Sequence, residues 1–89
     1  MKKPVITTKF KRDYKLAQKR GKDLSKIQHI MRELANENPL PPANRDHGLT
    51  GDYTGLRECH IEPDWLLVYE LTEEEIYFMR TGSHSDLFD

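Results

Sequence analysis

Apolar residues along this chain change their period once, near the middle. Val5 and Ile6 lie in a short β-branched stretch after Pro4, PVITT, which predicts a brief strand. From Phe10 the apolar positions Phe10, Tyr14 and Ala17, with Leu16 at the margin, keep helical spacing as far as Gly21. Thr7 or Thr8 is placed to cap that helix, because a hydroxyl there accepts from the unpaired N–H groups of the first turn. Asp23 caps a second helix with the apolar stripe Leu24, Ile27, Ile30, Met31 and Leu34. NENPLPP ends it, since its prolines cannot continue a helix. His29 falls beside the stripe and reads as a surface or half-buried residue without chemistry.

Beyond the prolines the period drops to two. Gly51-Asp52 and Gly55 supply turn chemistry, and an alternating strand runs from Leu56 to Ile61. Pro63 interrupts it, because proline cannot donate to a ladder. WLLVYEL is apolar on both faces and so belongs at the centre of its sheet. TEEE turns the chain into a further strand, IYFMRT, which ends at Gly82, and Leu87 and Phe88 dock the tail. The expected fold class is α+β, in the order β-α-α-β-β-β, as one domain over residues 1–89. Late strands joined by short turns pair antiparallel. The two N-terminal helices pack on one face of this mostly antiparallel sheet and leave the other partly open.

Composition and charge add further constraints. The chain has 89 residues, 33% of them charged, and a mean hydropathy of -0.82, so only a modest core is available. The longest apolar run, WLLVY, is too short to span a bilayer, so no membrane role is expected. No basic-then-apolar leader opens the sequence, so a cytosolic location is expected. A lone cysteine, Cys59, excludes an internal disulfide. The net charge of -1 hides an asymmetry: residues 1–45 hold 12 lysines and arginines against 4 acids, residues 46–89 hold 2 against 11. Either two solvated faces result, or the helical half offers a cationic surface to a polyanion.

His47, His60, Asp64, Arg80 and His84 fall at strand ends or turns of the second half. These side chains suit metal-free cleavage of a phosphodiester. A base takes the proton of a ribose 2′-hydroxyl, an acid protonates the leaving 5′-oxygen, and cations stabilise the phosphorane. Histidine fits the first two tasks, because its unperturbed pKa of about 6.5 leaves both forms available. Each residue alone also has a plain structural reading as a satisfied ring, a turn former or a loop residue. Zinc is not expected: no paired-histidine or paired-cysteine ligand spacing occurs, and Cys59 points away from His60 on an alternating strand. Parity sets Arg57 opposite His60 unless a bulge intervenes, and groups Arg80, Gly82 and His84 if the chain stays extended.

DHGLTGDYTGLRECHIEPDWLLVYEL, followed by RTGSHSDLF, resembles the YafQ branch of the RelE/ParE toxin superfamily, and RDYKLAQKRGKDLSKI extends the likeness into the helical half. The specific elements are His60, three residues, Asp64-Trp65 and an apolar strand, then the terminal Gly-x-His-x-x-Leu-Phe. The resemblance implies a type II toxin that cleaves messenger RNA in the ribosomal A site, an endoribonuclease needing no metal and no cofactor. It implies ribosomal RNA contact through the basic helices and a DinJ- or RelB-like antitoxin, with operator DNA bound only through the antitoxin complex. Catalysis would fall to His47, His60, Asp64 and His84, with His84 as general acid, Asp64 as base, and His47 and His60 orienting or stabilising. Phe88 would lie near the substrate, and Arg80 is added on physical grounds as a charge stabiliser. Relatives tend to be basic, whereas this chain has a pI near 6.4. The alternative is a non-catalytic module of the same fold that binds an antitoxin and operator DNA or poisons gyrase; ParE-like chains generally lack this histidine set.

Overall fold

The computed structural model describes residues 1–88. Among them β1 (Lys3–Ile6) leads into α1 (Thr8–Lys19) and α2 (Leu24–Ala35), followed by β2 (His47–Gly48), β3 (Arg57–Glu62), β4 (Trp65–Leu71), β5 (Glu75–Gly82) and α3 (His84–Phe88). Thr7 caps α1, its side chain accepting from the Phe10 N–H, and Asp23 caps α2 through the Ser25 N–H. Gly21 ends α1 in the left-handed conformation (φ 79°), with Lys22 N–H reaching the Ala17 carbonyl and Gly21 N–H the Gln18 carbonyl.

The described strands form one sheet in the order β1-β5-β4-β3-β2, antiparallel except for the parallel pairing of β1 with β5. The apolar strand WLLVYEL is central, as its two-sided hydrophobicity requires. Phe10, Ile27 and Leu34 from the helices pack on Cys59, Trp65, Leu67, Tyr69, Ile76 and Phe78 of one sheet face. Burial pushes the Cys59 thiol up to about 12, so it is inert there. The opposite face carries Glu58, His60, Leu66, Val68 and Arg80.

Two ladder irregularities aim the side chains. The register of β3 shifts between His60 and Glu62, so Ile61 and Glu62 both turn toward the helix layer, where Glu62 meets Lys22 and Lys26 at 3.2 and 2.9 Å. A second shift, where β4 meets β5, brings Arg80 opposite Val68. The extended path expected through His84 does not occur: the chain leaves β5 at Gly82 and enters α3. Residues Gly51–Tyr53 form a 3-10 turn whose Tyr53 ring meets Phe88 edge-on at 5.2 Å. The second sheet face is therefore partly roofed.

Candidate active site

Three histidines are held in the same way. His47 Nδ1 lies 2.6 Å from the Arg45 carbonyl oxygen, and His60 Nδ1 lies 3.2 Å from that of Pro63. A carbonyl only accepts, so both Nδ1 atoms carry the hydrogen. His84 Nδ1 lies 2.7 Å from Asp64 Oδ1, which also accepts the His84 backbone N–H at 2.9 Å. Those two bonds, the backbone one first, hold the Asp64 carboxyl below the usual carboxylate range. In each ring Nε2 remains for other partners.

Local sequence sets these anchors. Pro63 breaks the β3 ladder and turns its own carbonyl back to the His60 ring. Asp64 follows at the bend, and Trp65 fixes that bend from behind: it is buried and its Nε1–H donates to Thr81 Oγ1 at 3.0 Å. Truncating a buried tryptophan costs about 3–5 kcal/mol, which measures how firmly the rim is seated. Across the sheet His60 pairs with Leu66 and Leu66 with Gly82, two residues before His84. That register brings the His60 and His84 rings to 5.8 Å between centroids.

A fourth group is one that sequence reasoning passed over. Glu58 shares its strand face with His60, yet its side chain is only 8% exposed. Oε2 lies 3.1 Å from His47 Nε2, while Oε1 has no hydrogen-bond partner among the described residues. Since His47 Nδ1 already donates to Arg45, a proton between Nε2 and Glu58 makes this either an imidazolium–carboxylate pair or a neutral ring accepting from a carboxylic acid. A buried carboxylate oxygen left without a partner costs stability, so Glu58 is a candidate member of the site. The available signal was alternation alone, with Glu58 and His60 two residues apart on one strand.

The remaining expected residues are placed differently. Arg80 shares the sheet face but forks onto Asp13, Nε to Oδ2 at 2.6 Å and Nη2 to Oδ1 at 3.2 Å, so α1 already neutralises it. Arg57 leaves the cluster, its guanidinium meeting Tyr69 and Asp46. Phe88 and Tyr53 flank a hollow of about 340 Å³ that also takes in Leu56, Val68 and Arg80. Arg45, which the sequence did not single out, stands exposed beside His60 in a second hollow with Asn44, whose amide donates to the His60 carbonyl at 2.7 Å. His29 is exposed near Glu33, apart from all of these.

Glu58, His60 and His84 each offer one ligand atom within 4.8 Å of the others, so one carboxylate and two imidazoles are spaced for a divalent ion as well as for proton transfer. No helix among the described residues is long and apolar enough to cross a membrane.

Residues 2–89 match a family described as the bacterial toxin of type II toxin–antitoxin systems, YafQ. The mRNA interferase toxin YafQ of Escherichia coli K12 is 48% identical over 80 residues, covering 89% of this chain and 87% of that protein. Among solved structures, the E. coli DinJ–YafQ toxin–antitoxin complex superposes with a TM-score of 0.93 at 43% identity, covering 99% of this chain and 98% of that one. A metal-bound toxin from Helicobacter pylori superposes at 0.92 with 41% identity, covering 99% and 100%.

Proposed function

The chain belongs to the YafQ family of bacterial type II toxins, and from that premise we propose that it is an endoribonuclease cleaving messenger RNA in the ribosomal A site. The observation that carries this reading is the approach of His60 and His84, each ring anchored through Nδ1 and each within reach of a carboxylate. In the proposed reaction His60 Nε2 takes the proton of the 2′-hydroxyl, and the 2′-oxygen attacks phosphorus. The bond from phosphorus to the 5′-oxygen breaks, and His84 Nε2 delivers a proton to that leaving oxygen. The products are a 2′,3′-cyclic phosphate and a 5′-hydroxyl.

The carboxylates divide the supporting work. Asp64 spends one oxygen on two N–H groups of His84, which favours an orienting role over the base role that the sequence reading gave it. Glu58 is too buried to meet a ribose, so it balances the charge that His60 gains on taking a proton, and His47 holds its other oxygen. Arg80 is committed to Asp13, which leaves Arg45 as the cation beside the phosphate. Phe88 and Tyr53 offer ring faces and edges for a flanking base.

The DinJ–YafQ likeness supports neutralisation by a DinJ-like antitoxin, with operator DNA reached only through that complex. The lysines and arginines of α1 and α2 supply the surface for ribosomal RNA, and the protein works in the cytosol. An ion seated between Glu58, His60 and His84 would compete with the proposed proton transfers.

Programmed ribosomes kept in magnesium, with transition-metal ions removed by a selective chelator, test the reading. Transcripts are expected to break with the native chain, and His84→Ala to lower the single-turnover rate by roughly 10² to 10⁴. Equal cleavage by both chains, or activity that returns only when a transition-metal ion is added, would overturn it.

A further inference from the structure

His84 stands on α3, a five-residue helix that cannot hold itself together in water. Its first turn is closed by a reciprocal pair: Ser83 Oγ accepts the Asp86 N–H at 3.1 Å, and Asp86 Oδ2 accepts the Ser83 N–H at 3.0 Å. The same Asp86 carboxylate receives a fork from Arg20, Nη1 to Oδ2 at 2.6 Å and Nη2 to Oδ1 at 3.3 Å. Arg20 lies 66 residues earlier, at the C-cap of α1, where the Gly21 turn fixes its backbone. A side chain at Gly82 would put its Cβ 3.0 Å from Asp86 Cβ and Oδ2, so the carboxylate sits tight against the end of β5.

As a source of stability this partly exposed pair counts for little. Its geometry has another use, because α3 is tied to the β3–β4 turn on one side by Asp64 and to the helix layer on the other by Arg20. We propose that Arg20 and Asp86 are positioning residues: their fork sets the seat of α3 and hence the place of His84, so the end of α1 governs proton delivery without touching RNA. This rests on the cleavage reading for its kinetic consequence, but not for its structural one.

The alternative use of Arg20 is direct contact with nucleic acid, and a double-mutant cycle separates the two. Arg20→Met removes the fork; Asp86→Asn keeps an oxygen for Ser83 but loses the charge. Under single-turnover conditions on programmed ribosomes, each is expected to lower the rate about tenfold, as small misplacements of a reacting group do. Half-saturating toxin concentration should stay within about twofold, and the double variant should be no slower than either single one. Multiplying losses, a change confined to half-saturation, or no change in any variant would overturn the proposal. His84 ring signals in ¹H–¹⁵N spectra of the free protein give a readout independent of cleavage. They are expected to move alike in both single variants, and unmoved signals would overturn the clamp. Native protein that leaves transcripts intact while these signals do move would sink only the cleavage reading.

Discussion

At the residue scale the cluster depends on which side chains share a strand face and which oxygen each ring nitrogen finds. His60, Asp64 and His84 were legible through their spacing around Pro63 and Gly82 and through the family likeness. Glu58 was not, because a glutamate on an alternating strand reads the same whether its face meets water or a neighbouring imidazole. His47, paired with Glu58 across β2 and β3, is what its carboxylate meets. Arg80 illustrates the opposite limit: parity put it on the right face, but nothing in the spacing announced that Asp13 of α1 would take its charge. Glu58→Gln keeps the shape and removes the counter-charge for His60. Cleavage is expected to fall by roughly 10² to 10⁴, while the thermal midpoint holds or rises, because an oxygen without a partner is no longer buried as a charge. A midpoint that falls with activity unchanged would assign Glu58 to the scaffold instead.

At the element scale the long pieces followed from the sequence. Both capping residues, the Gly21 stop and the central place of WLLVYEL emerged from hydroxyl chemistry, glycine and hydrophobic pattern. The short pieces did not. β2 is two residues long and exists because its partner strand does, and α3 is below the length at which propensity decides anything. Its one local signal was Ser83 followed three residues later by Asp86. Three acids fasten the site-bearing segments: Glu62 to Lys26 and Lys22, Asp64 to His84, and Asp86 to Arg20 and Ser83. Each carboxyl is held below its usual range by those partners, chiefly through hydrogen bonds. Groups with depressed folded values contribute fully above about pH 4, the unfolded range for such acids, and lose that contribution as pH falls through the lower folded values. Hydrogen exchange on acidification should therefore release the Ser83 and His84 amides while β4 stays protected. Asp64→Ala, which removes the acceptor of both His84 bonds, should release His84 already near neutrality. Simultaneous loss of α3 and β4 protection would contradict this order.

On the scale of the whole molecule, a sheet with helices on one side leaves a working face on the other, and the charge asymmetry of the chain maps onto those layers. The α1–α2 layer is basic and the later strands acidic. A polyanion would be met by the former while the histidines act from the latter. The alternation of apolar residues made this layering readable; the partial roof from Tyr53, Leu87 and Phe88 was not, because contacts between distant loops leave no periodic trace.

Two imidazoles exchanging protons with the oxygens of one RNA linkage is the chemistry on which the rest stands, and the ends left on the cut strand report it directly. Transcripts cleaved on ribosomes should carry a 2′,3′-cyclic phosphate or its opened 3′-phosphate upstream and a 5′-hydroxyl downstream. A 3′-hydroxyl paired with a 5′-phosphate would mean that water, not the ribose, attacked phosphorus, and would contradict the account.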